Sequence, residues 1–312
     1  MASAFPICYP SRSYRRLHLD PSTAIPYHPL QTTMRNFVLL FLLFAALLPA
    51  QTPTPASTDP KGYSRPPLPK PLQPNLPTLF LVGDSTVRNG HGDGAGGQWG
   101  WGEPLVHFFD LARVNVTNRA LGGRSSRTYI TEGSWAETLQ YIKRGDVVLF
   151  QFGHNDNGPL DDTARARGTL PGIGPETREI DNPITHQQET VHTYGWYMRK
   201  YVRDSRAKGA IPILCSPIPR KIWKDGHIER NADNYGGWAR QVAEQEQIGF
   251  LDLNELIASR YDQMGPAQVE TMFADPHTHT SLIGAELNAR VVVSALKALP
   301  EQPVAKYLAA GK

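Results

Sequence analysis

Cysteine is nearly absent from this sequence, with two residues, Cys8 and Cys215, among 312. Cys8 falls in a segment that we expect to be removed, so a mature chain would keep one cysteine and have no disulfide framework. Cys215 ends the apolar run 211–214. That position favours a small buried apolar residue over a reactive thiol.

The sequence also lacks an apolar run long enough for a membrane span. Its longest run, residues 37–48, follows Met34 and Arg35 and ends shortly before Ala50. A basic start, a short apolar centre and a small residue at the cut are typical of a secretory signal peptide. We therefore predict a leader with a signal peptide over residues 1–50, in which residues 1–33 are either an extended leader or sequence upstream of a true start at Met34. We also predict a secreted or periplasmic protein with no stable membrane partner. An uncleaved amphipathic or membrane-tethered leader is the alternative.

Neither sign of charge is in excess. The formal net charge is +3, and residues 1–50 hold four arginines and one aspartate, so the remaining chain is formally neutral. A neutral chain gives no support for a nucleic-acid partner. Residues 51–77 contain nine prolines and few apolar residues, which predicts an extended linker. One domain over residues 78–312, expected to be a monomer, remains.

Short β-rich runs alternate with helical patterns after residue 77, which predicts α/β units around a parallel sheet. A buried aromatic stripe at helical spacing precedes Lys208-Gly209, and Ser281 is a good N-cap for the last helix. Residues 157–189 show no apolar period, so we expect a long loop that shapes a substrate groove or has no role. The predicted strands are 78–82, 114–116, 147–152, 211–215 and 250–253.

Four short segments carry residues suited to one chemistry. Three of them follow predicted strands, where parallel strands bring ligand-binding residues together, and the fourth precedes the last helix. They supply a serine, a glycine backbone donor, an amide and a histidine, which is the inventory for acyl transfer. The segments are Gly83-Asp84-Ser85, Ala120-Leu121-Gly122-Gly123-Arg124, Gly153-His154-Asn155-Asp156 and Asp275-Pro276-His277-Thr278-His279.

The first three segments, each taken alone, also fit ordinary turns. The serine is not in a Gly-x-Ser-x-Gly elbow, because Val87 replaces the second glycine, and this argues against the α/β-hydrolase fold. The histidines and Asp275 also fit a metal site. A metal phosphoesterase is disfavoured, since Gly83-Asp84 lacks a following histidine and the order of His154 and Asn155 is reversed.

Together these segments resemble the SGNH (GDSL-like) hydrolases, and more closely the rhamnogalacturonan acetylesterase group of carbohydrate esterases. The resemblance covers about residues 78–297, and it is the order and placement of the matches that is specific. The matches are Gly83-Asp84-Ser85-Thr86, Gly100-Trp101-Gly102-Glu103, Gly122-Gly123-Arg124-Ser125, Glu132-Gly133, Phe152-Gly153-His154-Asn155-Asp156, Tyr194-Gly195, His277-Thr278-His279-Thr280-Ser281 and Gly284-Ala285-Glu286.

The resemblance implies a three-layer αβα sandwich with a parallel, flavodoxin-like sheet of about five strands. It makes Ser85 the nucleophile and His279 the general base, oriented by Asp275. The backbone N–H groups of Ser85 and Gly123 and the side chain of Asn155 would form the oxyanion hole, with no metal and no other cofactor.

One position departs from the family pattern. The aspartate usually lies three residues before the histidine, where this chain has Pro276, and Asp275 lies four before His279. A one-residue bulge could restore the geometry, the orienting acid could be weaker, or His277 could be the base. The register of the following residues favours His279.

The resemblance implies a serine esterase that removes acetyl groups from plant cell-wall polysaccharide, in the first place rhamnogalacturonan. Acetylxylan, pectin and small-ester or lipid substrates are alternatives on the same fold. A non-catalytic carbohydrate-binding protein is the alternative from another class. We predict substrate contacts for Trp99, Trp101 and Arg124, although each tryptophan fits stacking on a sugar or packing equally well.

Overall fold

The computed structural model describes residues 66–311, so the predicted leader and residues 51–65 lie outside the described part. The strands are β1 (Thr78–Gly83), β2 (Asn115–Asn118), β3 (Val147–Gln151), β4 (Thr177–Asn182), β5 (Gln187–His192), β6 (Ile211–Cys215), β7 (Trp223–Lys224), β8 (His227–Ile228) and β9 (Gly249–Leu251). The helices are α1 (Gly102–Leu105), α2 (Thr128–Thr131), α3 (Ser134–Leu139), α4 (Tyr194–Ala207), α5 (Tyr235–Glu246), α6 (Leu253–Met264), α7 (Pro266–Glu270) and α8 (Leu282–Ala298). Short 3₁₀ turns cover Ala95–Gly97, Val106–Phe108 and Ala305–Tyr307.

The central sheet has the order β2-β1-β3-β6-β9, and all of its neighbouring strands are parallel. This order confirms the predicted flavodoxin-like sheet of five strands. The strand order reverses at β1, which lies between β2 and β3. The chain adds β2 on one side of β1 and all later strands of the sheet on the other side, so this is the topological switch point. A crevice forms at the carboxyl ends of β1 and β3, which is where open parallel sheets bind ligands.

Both faces of the sheet are buried, as a three-layer sandwich requires. Along β1, Leu79 and Leu81 pack into one hydrophobic core and Phe80 and Val82 into the other. Each such side chain contributes roughly 1.5–3 kcal/mol when it is fully buried. The first core includes side chains of α6 and α8, and the second includes side chains of α4 and α5.

The two long helices predicted from the sequence are present as α4 and α8, and α8 begins where expected. Ser281 caps α8 by accepting a hydrogen bond from the Gly284 N–H group. The aromatic stripe of α4 is buried, which confirms that it is core; its residues are Tyr194, Tyr197, Met198, Tyr201 and Val202. Val191, whose spacing placed it in the same helix, is also buried but lies in β5. Cys215 is also buried, and burial raises the pKa of its thiol far above the usual range.

Residues 66–77, the second half of the predicted linker, pack against the domain. Leu68 is buried in the core that contains Phe80. The Pro69 carbonyl accepts a hydrogen bond from Arg119 Nη1 at 2.6 Å, and the Gln73 N–H donates to Asn115 Oδ1 at 3.0 Å. This segment therefore belongs structurally with the domain. Between residues 66 and 311, no helix is both long and apolar enough to cross a membrane.

The segment 157–189 differs from the loop that its composition suggests, because it contains β4 and the start of β5. These strands pair as an antiparallel hairpin. Most of their side chains are exposed, and of their apolar residues Ile180 and Val191 are buried. One face of the hairpin is turned toward the domain, but beside Ile180 and Val191 it carries the polar residues Asn182 and Glu189. The strands therefore show no alternating apolar pattern that would predict them.

Arg127 fastens this segment to the domain. Its side chain is completely buried and forms a bidentate pair with Glu189, with both N···O distances 2.7 Å. Its Nη1 also donates to the carbonyl groups of Leu160 and Gly168, at 3.0 and 2.8 Å. Four hydrogen bonds from one guanidinium therefore hold both ends of the segment.

Replacing Arg127 by methionine is expected to lower the free energy of unfolding by about 3–5 kcal/mol, because Glu189 would keep a largely buried charge without this partner. Denaturant unfolding measures the change. Arg144→Met is the matched control, since Arg144 is exposed and surface changes usually stay within about 0.5 kcal/mol. Equal stability of the two variants would contradict the role given to Arg127.

Candidate active site

Ser85 lies just after β1, where the chain turns sharply at the carboxyl edge of the sheet. The turn is possible because residue 83 is glycine: a Cβ there would lie 2.5 Å from the Gln151 carbonyl oxygen of the neighbouring strand. The Asp84 carboxylate stabilises the turn by accepting hydrogen bonds from the N–H and hydroxyl groups of Thr86, at 2.9 and 2.7 Å. Ser85 itself stays partly exposed in the crevice.

Ser85, His279 and Asp275 form one chain of hydrogen bonds. The Ser85 Oγ is 2.9 Å from His279 Nε2, and His279 Nδ1 is 2.5 Å from Asp275 Oδ2. With the proton on Nδ1, the imidazole donates to the carboxylate and accepts from the serine hydroxyl. This is the arrangement that activates a serine nucleophile through a general base and an orienting acid.

The turn at residues 275–279 accommodates the aspartate four residues before the histidine. Asp275 Oδ1 accepts hydrogen bonds from the N–H groups of His277, Thr278 and His279, at 3.0, 2.6 and 3.0 Å. The turn therefore wraps around the carboxylate and absorbs the extra residue at Pro276. The other carboxylate oxygen remains available to the imidazole, so the first of the three options left open by the sequence describes this loop.

The same contacts set the charge of Asp275. Partial burial alone would raise its pKa, but the hydrogen bonds from these three N–H groups and from His279 outweigh it and lower the pKa to about 2. Asp275 is therefore ionised at neutral pH. His277 is exposed, and its Nδ1 lies 2.6 Å from the Thr278 hydroxyl, while His279 is the histidine that contacts Ser85.

The predicted oxyanion donors lie on two neighbouring loops. Gly122 lies against the nucleophile, since a Cβ added to it would be 3.5 Å from the Ser85 Cβ, and Gly123 has the positive φ of 79° that favours glycine. The Asn155 Nδ2 donates to the Arg124 carbonyl at 2.8 Å. A side-chain amide has two N–H groups, so the second remains for a ligand oxygen.

Arg124, predicted to bind substrate, is engaged with the protein. Its Nε is 2.8 Å from Glu132 Oε2, and its Nη1 donates to the Gly122 carbonyl at 3.1 Å. Because the peptide group is planar, holding the Gly122 carbonyl also fixes the direction of the Gly123 N–H. Arg124 thus positions two predicted oxyanion donors. Its side chain positions the Gly123 N–H, and its backbone carbonyl positions the Asn155 amide. A contact between its side chain and substrate stays a prediction.

The two tryptophans have different places. Trp101 is 1% exposed, lies in the core and donates from Nε1 to Gln151 Oε1 at 2.9 Å. The prediction that it contacts substrate is wrong, because no face of the ring is open to a sugar. Trp99 is half-buried against Gly94, and its main chain pairs with Thr280, next to His279. A substrate contact for Trp99 stays a prediction.

Replacing Asn155 by alanine is expected to lower kcat by about 100- to 1,000-fold with a much smaller change in KM, because an oxyanion donor acts mainly in the transition state. Steady-state hydrolysis of p-nitrophenyl acetate measures both constants. Asn157→Ala is the matched control, as Asn157 is exposed two residues further on. A kcat loss in the Asn155 variant no larger than in the control would remove Asn155 from the oxyanion hole.

Comparison with known proteins places this arrangement in a family. Residues 81–287 match the model of the GDSL-like lipase/acylhydrolase family. The chain belongs to this family. This GDSL-like hydrolase is accordingly an esterase, and its predicted nucleophile, base and donors all lie within or next to the crevice just described.

Relatives of the GDSL-like hydrolase include two named proteins and one protein of solved structure. It is 30% identical over 220 residues to "Rhamnogalacturonan acetylesterase" from Emericella nidulans, covering 70% of this chain and 84% of the relative. It is also 30% identical to "Probable rhamnogalacturonan acetylesterase YesY" from Bacillus subtilis, covering 71% and 93%. The crystal structure of YxiM from Bacillus subtilis superposes with a TM-score of 0.58 at 26% identity, covering 79% of this chain and 60% of that one.

Some residues of the GDSL-like hydrolase site were missed in the sequence. Beneath Ser85, Gln151 donates from Nε2 to the Thr86 hydroxyl at 2.6 Å and accepts from Trp101, which links β3 to the nucleophile turn. Arg167 Nη1 donates to the Gly123 carbonyl at 3.2 Å. Neither contact has a sequence signal, because each joins residues far apart in the chain. Within residues 66–311, no histidine, cysteine and carboxylate side chains are grouped as metal ligands.

Proposed function

We propose that this chain removes acetyl groups from acetylated rhamnogalacturonan through an acetyl-serine intermediate. The observation that carries the proposal is the hydrogen-bonded chain from Ser85 through His279 to Asp275. The relatives named rhamnogalacturonan acetylesterase support the choice of substrate. The polysaccharide is the partner that the proposal requires.

In the first step, Ser85 Oγ attacks the carbonyl carbon of the acetyl ester while His279 Nε2 takes the hydroxyl proton. The carbonyl oxygen becomes an oxyanion, which the N–H groups of Ser85 and Gly123 and the Asn155 amide stabilise. The ionised Asp275 stabilises the imidazolium. When the tetrahedral intermediate collapses, the bond to the sugar oxygen breaks and that oxygen receives the proton from Nε2, leaving acetyl-Ser85.

In the second step, a water molecule gives a proton to His279 Nε2 and attacks the acetyl carbonyl. A second oxyanion forms at the same donors. Its collapse releases acetic acid, which ionises to acetate, and His279 Nε2 returns its proton to Ser85 Oγ. The carbon–oxygen bond to serine breaks last, so the enzyme ends in its starting state.

A substrate panel tests the proposal. Acetate release is measured from acetylated rhamnogalacturonan, acetylated homogalacturonan, acetylxylan and a lipid ester, each with the wild type and with Ser85→Ala. We expect the fastest release from rhamnogalacturonan and none above background in the variant. Faster release from xylan, pectin or lipid would replace the substrate, and no release from any of them would favour a carbohydrate-binding protein.

The proposed place of action is outside the cytoplasm, either secreted or periplasmic. The signal-peptide pattern of residues 34–50 supports this location. The proposed substrate supports it as well, because cell-wall polysaccharide lies outside the cell.

We also propose that the enzyme acts as a monomer. Mass spectrometry of the N-terminus of the exported protein, with cleavage near Ala50 expected, tests the first statement, and size-exclusion chromatography with light scattering tests the second.

A further inference from the structure

A cationic pocket lies beside the nucleophile, between the glycine turn and the segment 164–167. It has a volume of about 320 Å³. We call it the arginine pocket; it is lined by Gly122, Gly123, Arg124, Thr128, Glu132, Ala164, Arg165, Arg167 and Ile184. Since Gly122 both lines this pocket and lies against Ser85, a chain molecule bound at Ser85 can extend directly into it.

The charges of the arginine pocket do not cancel. Glu132 pairs with Arg124 at 2.8 Å. In the described part of the chain, no carboxylate lies within ion-pair distance of Arg165 or Arg167, and Arg167 contacts the Gly123 carbonyl instead. Two guanidinium groups therefore remain for an anionic ligand, and a guanidinium matches a carboxylate in a bidentate way.

The segment that carries these arginines is rigidly built. The Asp162 carboxylate accepts hydrogen bonds from the N–H groups of Ala164, Arg165 and Ala166, at 3.0, 2.8 and 2.9 Å. Ala166 lies between the two arginines, is 1% exposed and has a φ of 42°, which is unfavourable for a residue with a side chain. Backbone strain of this kind is concentrated at functional sites.

We propose that the arginine pocket binds the carboxylate of an acidic sugar that neighbours the acetylated residue, with Arg165 and Arg167 as its ligands. The proposal rests on the proposed acetylesterase function and adds how the enzyme distinguishes acidic from neutral polysaccharides. Rhamnogalacturonan carries a carboxylate on each galacturonate residue, whereas xylan backbones are neutral. The pocket thus selects the class of polymer, while Ser85 acts on the ester.

Binding of unreactive oligosaccharides tests the pocket without relying on turnover. Rhamnogalacturonan oligosaccharides without acetyl groups and neutral xylo-oligosaccharides are titrated into the wild type, Arg165→Gln and Arg144→Gln, and Kd is measured by NMR. Loss of one charge-assisted pair is expected to raise Kd for the acidic oligosaccharide about tenfold in Arg165→Gln. Arg144 is exposed and lies just before β3, at the opposite end of the strands from Ser85. Arg144→Gln should therefore leave the Kd for the acidic oligosaccharide unchanged.

Further measurements separate charge from shape. Arg165→Lys should recover most of the affinity, and added salt should weaken acidic binding more in the wild type than in Arg165→Gln. Arg167→Gln should also raise Kd. Because Arg165 is exposed, its variants are expected to fold, which an unchanged melting temperature would verify.

Three results would overturn the proposal: no binding of the acidic oligosaccharide, equal weakening for acidic and neutral ones, or equal effects at Arg165 and Arg144. Acetate release from the substrate panel is scored separately. Release from rhamnogalacturonan without charge-dependent binding would remove the pocket and keep the proposed function. Charge-dependent binding without acetate release would keep the arginine pocket as a binding site and remove the proposed esterase function.

Discussion

Ser85→Ala is expected to lower kcat by about 10⁶-fold on acetylated rhamnogalacturonan and on p-nitrophenyl acetate, as removal of a serine nucleophile does elsewhere. The change removes the oxygen that forms the acyl bond and leaves the turn intact, since that turn depends on Gly83, Asp84 and Thr86. The fold should therefore persist. Steady-state kinetics and the melting temperature measure the two effects.

Ser259→Ala is the matched control for the serine change. Ser259 lies on α6, and its hydroxyl donates to Glu255 on the same helix, so its loss should leave kcat unaltered. A fluorophosphonate probe gives a second readout, because it should label the wild type and the control but not the Ser85 variant. An active, labelled Ser85→Ala enzyme would show that another residue is the nucleophile.

Asp275→Asn is expected to lower kcat by about 10⁴-fold, the size of effect that follows when the orienting acid of a serine–histidine pair becomes an amide. An asparagine oxygen can still accept the three N–H groups of the turn, so the loop should keep its shape. What is lost is the negative charge that stabilises the imidazolium and holds the proton on Nδ1. A variant with more than a tenth of wild-type kcat would contradict this role for Asp275.

Asp275→Ala tests the structural part of the same carboxylate. Because the folded pKa is about 2 and the ordinary value is 3.8, Asp275 stabilises the folded state above pH 3.8, and this contribution is lost as the pH falls through about 2. The stability difference between wild type and Asp275→Ala should therefore shrink toward pH 2. The loss of activity on the acid side of the pH profile should not arise from Asp275, because Asp275 stays ionised down to about pH 2.

The sheet could be predicted from the sequence because its strands are buried on both faces. β1 and β3 are continuous apolar runs bounded by glycine or polar turns, and such runs predict buried parallel strands. The hairpin β4–β5 follows another rule, since its buried face combines the apolar Ile180 and Val191 with the polar Asn182 and with Glu189, which pairs with Arg127. A pattern-based prediction has nothing to detect there.

Within the site, the residue types could be predicted but not all of their environments. Trp101 suits either a sugar platform or a core, and its Nε1–H bond to Gln151 is settled by packing between distant segments. Asp275 departs from the family spacing of aspartate and histidine by one residue. The geometry is nevertheless kept, because it depends on the direction of the N–H groups of residues 277–279 and not on the residue count. Arg165 and Arg167 are two charges in an aperiodic segment, and their joint exposure to one pocket needs the fold.

The double use of the Asp275 carboxylate limits how this chain can change by mutation. One of its oxygens accepts the N–H groups that shape the loop, and the other orients the base. Any substitution of Asp275 that removes its catalytic role therefore also disrupts the loop, except replacement by asparagine. Ser85 carries no such structural duty. We therefore expect that descendants which give up hydrolysis and keep only sugar recognition lose the serine first and retain the aspartate long after it has ceased to serve a reaction.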